Sequence, residues 1–310
     1  MYRLTRNDFY FPLVIVLLKS SRRFPIWLRR LIVRAIALTA YGVSASKRRL
    51  VWRGINAGFE GLSAGQKRAM AKRVFYQFWR DTFSMAPSNG ERRQIKEIAV
   101  RGEEHLRSAL SRGAGVILME TNSFGDRVLA RWVLHARGYA LHQIHAATHL
   151  GSGFTVAPGA PSWAARRLRR FLEACEMESV AEIIYLGESD SLAFIRVLLD
   201  RLKRNSIVCI AGDGKQSQRL IEVPFLGVKR EFSPGMFSLA RTSGAVVLPL
   251  FCVRRGDAGF EVVIGPPIEV NSAAGREASL TAAVHEFTSL LESYCREYPE
   301  QFYGAADLAS

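Results

Sequence analysis

The sequence predicts an α/β fold: a single layered domain with a mostly parallel sheet flanked by helices, behind N-terminal amphipathic membrane-associated helices. Three observations predict it. Short apolar runs of strand length alternate with stretches of helical spacing from about residue 100 onward. Most of those runs are apolar throughout, as strands buried on both faces are. The cationic charge, by contrast, is gathered at the front of the chain.

That front comes first. Residues 1–53 hold twelve Lys or Arg against Asp8 alone, so +11 of the net +15 lies there. Between the cations run Phe9–Leu18, broken chemically only by Pro12, and Ile26–Tyr41, apolar except for Arg29, Arg30, Arg34 and Thr39. A ten-residue run is too short for a bilayer that needs about 20 residues. On a helical wheel Arg29, Arg30 and Arg34 fall within about 140° of arc, which leaves a broad apolar face. Such a helix lies in a lipid surface, with Trp27 in the interface and Arg22, Arg23, Arg29, Arg30 and Arg34 toward anionic head groups. Residues 1–45 therefore read as a monotopic anchor and 46–310 as the α/β domain. Three other readings stand beside this one: a cleaved secretory leader, a nucleic-acid-binding stripe, and a core helix with arginines at its rim. No small-x-small site follows Leu18, and Lys19, Arg22 and Arg23 come next, which argues against a leader. Nucleic-acid binders set cations among polar or aromatic residues, not among Ile, Leu and Val, so no nucleic-acid partner is expected.

A helix is predicted over Ala64–Ser84, because Ser63 and Gln66 form a capping box and Met70, Val74, Phe75, Phe78 and Trp79 recur at helical spacing. Strand-like runs follow at Val116–Met119, Ala140–Ile144, Ile183–Leu186, Ile207–Ala211 and Ala245–Val253. Helical stretches separate them at Glu103–Arg112, Gly125–Arg137, Ser162–Cys175, Ser189–Arg204 and Pro234–Thr242, and a last helix covers Ser279–Glu297. Neither repeats nor low-complexity linkers divide the chain. An apolar content of 48% and a charged content of 23% exclude disorder, collagen and coiled coil. Four cysteines, at 175, 209, 252 and 295, form neither a CxxC pair nor a dense disulfide framework, so a reducing compartment and no metal are expected.

Sites in open α/β sheets gather where strands end. Two loops there carry chemistry. Glu120-Thr-Asn-Ser-Phe-Gly-Asp126-Arg127 sits between a strand and a helix, so its N–H groups and the helix dipole suit an anion or oxyanion. The second, Ala211-Gly-Asp213-Gly-Lys-Gln-Ser217, carries two glycines, Asp213 and Lys215, without the spacing of a P-loop. Polar turns after buried strands are also ordinary structure, and a carboxylate such as Asp126 is at home at a helix start. His142, His145 and His149 cluster after the second strand. A helix-like spacing would suit a metal, but without a helix there a solvated histidine cluster is the plainer reading.

The order of several pieces resembles a known family. Arg101-Gly-Glu-Glu-His-Leu106, Gly115-Val-Ile-Leu, Ser123-Phe-Gly-Asp126, Ala211-Gly-Asp213, Val223-Pro-Phe-Leu-Gly227, Ser233-Pro-Gly235, Leu239-Ala-Arg-Thr-Ser-Gly-Ala245 and Tyr298-Pro-Glu-Gln301 are similar to the lipid A late acyltransferases, the lauroyl/myristoyl transferases of the lysophospholipid acyltransferase superfamily. The likeness runs from about Tyr41 to Phe302. It implies transfer of a fatty acyl group from an acyl-carrier-protein or coenzyme A thioester, a co-substrate rather than a cofactor, to a glycolipid hydroxyl at the cytoplasmic face of a bacterial inner membrane. It also implies a His followed five residues later by Asp or Glu, the His as general base and the acid as its orienting partner, and a cavity for a hydrocarbon tail opening beside Phe124 and facing the lipid surface.

This chain departs from the family at that pair. Aligned through Phe124-Gly125, the His position is Ser123 and the acid position is Val128. Shifting the frame to use Asp126 puts Thr121 where the His belongs. Neither Ser nor Thr is a base near neutral pH. Asp126, Glu120 and His145 are the replacement candidates, with Ser123 at the vacated position and Asn122, Phe124, Gly125, Arg127, Asp213 and Lys215 as substrate contacts; a carboxylate desolvated among apolar neighbours can be raised toward neutrality. After Tyr298-Pro-Glu-Gln301 the chain also lacks the family's Trp and basic aromatic cluster. The expectation is an acyl, or aminoacyl, transferase for a hydroxyl or amine of a glycolipid or other membrane-proximal acceptor. The alternative is a silent relative that binds lipid or carrier. A serine hydrolase built on Ser123 is a third reading, weakened because Thr121-Asn-Ser-Phe-Gly125 lacks the first glycine of a nucleophile elbow.

Overall fold

The structure is a computed structural model that describes residues 6–146, 162–186, 191–214, 219–256, 259–270 and 275–309. Five helices open it: α1 (Arg6–Ser21), α2 (Ile26–Val43), α3 (Ala45–Gly58), α4 (Ala64–Ser84) and α5 (Asn89–Ile95). The predicted capping box at Ser63 forms with both bonds in place, and α4 starts and stops where the sequence pattern says. Then come β1 (Ala99–Arg101), α6 (Glu103–Ser111), β2 (Val116–Glu120), α7 (Arg127–Ala136), β3 (Leu141–Ala146), α8 (Trp163–Glu176), β4 (Glu182–Leu186), α9 (Ser191–Lys203) and β5 (Ile207–Ala211). The chain continues through β6 (Ile221–Phe225), β7 (Val228–Phe232), α10 (Gly235–Ser243), β8 (Val246–Arg255), β9 (Gly259–Ile264) and α11 (Arg276–Glu297), and ends in two short 3-10 segments, Pro299–Gln301 and Gly304–Ala309.

Seven strands form one sheet in the order β1-β9-β8-β2-β5-β3-β4, with β6 and β7 as a separate hairpin. Only the β8–β9 pairing in the main sheet is antiparallel. The mostly parallel expectation holds. β2 lies at the centre and is buried at every residue. Its side chains alternate between two cores, Val116 and Leu118 toward α6, α7 and α8, Ile117 and Met119 toward α9, α10 and α11. Helix α4 belongs to both, with Trp79 and Phe83 in the first and Met70, Val74 and Phe75 in the second.

Several elements were not anticipated, α5 among them. β1 is three residues long, too short for a periodicity. β9 joins the sheet antiparallel at one side of β8. The β6–β7 hairpin contains Pro224 within a strand, which a sequence reading discounts, and turns through Leu226 and Gly227, both with positive φ (51° and 79°). α3 packs on the C-terminal 3-10 segment, so closely at Gly54 that a Cβ there would stand 1.5 Å from the carbonyl oxygen of Ala305.

The N-terminal segment read as an anchor is also part of the fold. Phe11, Val14, Ile15 and Leu18 of α1, and Val33 and Ala37 of α2, are buried in the same core as the sheet, with α1 against α8 and α2 against α4. Among the described residues no helix is long and apolar enough to cross a membrane. The outer face of α2 stays uncovered: Trp27, Leu31 and Leu38 are exposed and share that side with exposed Arg30 and Arg34.

Candidate functional site

The loop after β2 is closed, not open. Asp213, at the end of β5, accepts from the backbone N–H of Asn122 (2.6 Å) and of Ser123 (2.9 Å) and from the Ser123 hydroxyl (2.5 Å). Gly125 N–H donates to the Gln301 carbonyl and Asp126 N–H to the Cys252 carbonyl. The chain's own carboxylate therefore fills the nest of N–H groups that the sequence offers to an oxyanion. Ser123 is buried, its carbonyl accepts from Tyr303 and Gly304 N–H, and a Cβ on Gly304 would lie 2.4 Å from the Ser123 Cβ. Gly125 has φ +69°, and a Cβ there would come within 2.5 Å of the Cys252 carbonyl oxygen, so only glycine fits.

Among the described residues the space beside Phe124 is filled, not open as expected. Phe124 is 2% exposed and packs against Phe251 and Tyr294, with centroids 6.2 and 5.9 Å away, while its backbone bridges to Phe302. A different opening, of about 720 Å³, lies between α2, α4 and the β8–β9 pair, with Val33, Leu38, Arg80, Ser84, Arg254 and Phe260 among its walls.

Asp126 sits just behind that opening. It is 1% exposed; one oxygen caps α7 by accepting from Leu129 N–H (2.9 Å), and the other accepts from Arg80 Nη2 (2.9 Å) and Ser84 Oγ (2.9 Å). The helix-start role is thus present, with an ion pair added. Nearby Asp81, on α4, is buried, accepts from Gln77 (2.8 Å) and from the Tyr303 hydroxyl, and has its carboxyl pushed well up by burial and by the charge of Asp126. Burial and the same acids push the Tyr303 phenol well up too. Sequence reasoning missed Asp81 because it reads as one polar residue in an amphipathic helix.

A second buried constellation lies at the ends of β2 and β3. Glu120 has no exposed surface; Arg131 Nε is 3.5 Å away and Arg127 Nη1 4.0 Å, and neither carboxylate oxygen has a hydrogen bond. Burial raises its pKa against the pull of those two arginines. Arg131 Nη1 donates to Glu176 Oε1 at 2.5 Å, and the same oxygen lies 3.0 Å from His145 Nε2. Burial works to raise the Glu176 carboxyl, but Arg131 and His145 outweigh it and bring it down to about 2. An ionised Glu176 only accepts, so His145 Nε2 is the donor in that contact.

Of the three histidines, the two described ones do not share a site. β3 runs on to Ala146, and residues three apart on a strand point to opposite faces, so His142 pairs with Glu182 (2.9 Å) and His145 with Glu176. His149 and Lys215 lie outside the described residues. Of the cations expected at a lipid surface, Arg29 is inside, 1% exposed, donating to Ser21 Oγ and to the carbonyls of Phe83 and Ala86 and paired with Glu91 at 2.9 Å. Arg22 holds Glu178 through two hydrogen bonds of 2.9 and 2.6 Å. Arg23, Arg30, Arg34 and Trp27 are exposed.

A mostly parallel sheet that collects buried acid–base groups at the carboxyl ends of its central strands places the chain among α/β proteins whose sites form at strand ends. Comparison with known proteins sharpens this. Residues 168–303 match the model of the bacterial lipid A biosynthesis acyltransferases. A phosphatidylinositol mannoside acyltransferase of Mycobacterium tuberculosis is 26% identical over 217 residues, covering 67% of this chain and 60% of that protein. One from Mycolicibacterium smegmatis is 25% identical over 227 residues, 71% of this chain and 66% of that protein. These matches support a likeness to the lipid A-type acyltransferases. The aligned part spans about 60% of the length of the tuberculosis relative it matches.

Proposed function

We propose that this chain is a membrane-surface acyltransferase that moves a fatty acyl, or aminoacyl, group from a carrier-protein or coenzyme A thioester to a hydroxyl or amine of a lipid-like acceptor, with His145 as general base and Glu176 as the carboxylate that positions it. The observation that carries the reading is the buried His145–Glu176 pair. It supplies, from β3 and the end of α8, the division of labour that the family's own positions, Ser123 and Val128, lack here. His145 Nδ1 would take the acceptor's proton as its oxygen or nitrogen attacks the thioester carbonyl, and would return it to the departing thiolate. Glu176 stabilises the imidazolium formed between those steps, and Arg131 holds Glu176 ionised. The exposed apolar and cationic side of α2 supports work at a lipid surface, since a bound acceptor could be presented without leaving it; the proposed surface is the cytoplasmic face of a bacterial inner membrane.

The locked loop favours a second reading, in which the chain binds a lipid or a carrier and transfers nothing. Purified protein incubated with labelled acyl-carrier protein or acyl-coenzyme A and lipid extract separates the two. Transfer that falls by about 10²–10⁴ in His145→Asn, while folding is kept, supports the proposed base. Binding without transfer by the unaltered chain supports the silent reading, and full transfer by His145→Asn refutes His145 as the base.

A further inference from the structure

The cleft between α2, α4 and the β8–β9 pair is unlike the closed loop: its cations lack enough acid. Arg254, half-buried on β8, stands with its guanidinium 6.0 Å over the Tyr76 ring and makes no side-chain hydrogen bond or ion pair among the described residues. Its charged form is disfavoured by burial first and then by Arg80 and Arg73 beside it. Arg80 gives Nη2 to Asp126, but its Nη1 is buried with no hydrogen-bond partner. Arg73 has only Glu300 at 3.7 Å. Three guanidinium groups that repel one another, one with an unsatisfied buried N–H, carry a free-energy cost that a bound dianion would remove.

Part of the remaining wall is apolar, beside polar stretches that carry Glu91, Gln94 and Glu97. Val33 and Leu38 of α2, Phe83 of α4 and Phe260 of β9 line the apolar part. An inorganic anion would satisfy the arginines and leave that wall wet. A phosphate ester carrying hydrocarbon would use both, with the guanidinium forks on phosphate oxygens and the chain carbons on the wall. Leu38 is both a wall residue and part of the exposed side of α2, so the mouth of the cleft opens beside the surface that would meet a bilayer.

We infer that this cleft binds the phosphate of an anionic phospholipid, held by Arg73, Arg80 and Arg254, with the first carbons of its acyl chains against Val33, Leu38 and Phe260. The inference goes beyond the transfer reaction, because it concerns binding and holds whether or not acyl transfer occurs. Calorimetric titration of the full chain with dihexanoyl phosphatidic acid, kept below its micelle concentration, tests it, with inorganic phosphate, dihexanoylglycerol and coenzyme A as parallel arms. The phospholipid should bind at least tenfold more tightly than each of the other three. Arg73→Gln with Arg254→Gln should weaken it at least tenfold without moving the melting temperature, whereas Arg107→Gln with Lys229→Gln, on exposed surface elsewhere, should leave it unchanged. Equal binding by the Arg73/Arg254 variant, an equal loss in the Arg107/Lys229 variant, or matching affinity for phosphate or for coenzyme A would each overturn the assignment. If the first variant melts early, Arg254→Lys, which keeps the charge but not the fork, should weaken the phospholipid alone; unchanged binding there would count against it equally.

Discussion

Glu176→Gln isolates a charge whose worth depends on pH in a calculable way. In the folded chain the carboxylate lies between Arg131 at 2.5 Å and His145 at 3.0 Å, and its pKa is brought down to about 2. Unfolded, a glutamate titrates near 4.3. The folded value is the lower, so the stabilisation is fully present above about pH 4.3 and is lost as the pH falls toward 2. A difference of a little over two pKa units corresponds to about 3 kcal/mol at neutral pH. The substitution also leaves Arg131 buried with Glu120 alone, 3.5 Å away and without a hydrogen bond, so a total loss of about 3–5 kcal/mol is expected at pH 7. Urea unfolding of both proteins between pH 7 and pH 3 measures it. The stability difference should be flat down to about pH 4.5 and about 2 kcal/mol smaller at pH 3. A difference that stays constant across the range, or grows in acid, would refute the linked Arg131–Glu176–His145 arrangement.

Asp81→Asn should act in the opposite sense. Its folded carboxyl is raised, so between the unfolded value near 4 and the folded one each pH unit removes about 1.4 kcal/mol from the unaltered chain, and the variant's relative stability in thermal melts should rise with pH above about 4. Arg29→Ala strips the hydrogen bonds that tie α2 to the carbonyls of Phe83 and Ala86 and leaves Glu91 without its ion pair, and should lower stability by about 3–5 kcal/mol in denaturant titrations. Trp27→Ser with Leu31→Ser removes apolar contact that is already in water, so flotation with anionic vesicles should fall severalfold while the melting temperature holds.

Much of the fold was legible because its signals are local. The capping box at Ser63 and the all-apolar runs of β2 and β5 each carry their period within a few residues, and each lies in the structure where the pattern puts it. What was not legible depends on partners far along the chain. A serine at 123 gives no hint of Asp213, ninety residues away, and a glutamate on α8 gives none of His145. The histidine spacing misled for a related reason: three apart is one face on a helix and opposite faces on a strand, and β3 continues two residues beyond its apolar run. Arg29 looked like a head-group cation because a wheel shows the arc of a side chain, not whether Ser21 and two carbonyls wait there to receive it.

The missing family pair is therefore more than a point change. A histidine at 123 would remove the hydroxyl that donates to Asp213, at a position packed closely enough on Gly304 that a Cβ on that glycine would lie 2.4 Å from the Ser123 Cβ. A glutamate at 128 would enter the apolar core beside Leu129 and Trp132, where Val128 is 3% exposed, at the cost of an unpaired buried charge. Serine, glycine, aspartate and valine at these four positions are mutually consistent and jointly incompatible with the His–acid pair. In this arrangement Ser123 donates to Asp213 and Val128 lies in the core, so these two positions hold no His–acid pair. An imidazole at the end of β3 is held there by Glu176 through Nε2, and among the described residues its Nδ1 has no hydrogen-bond partner, which is the geometry the proposed base needs.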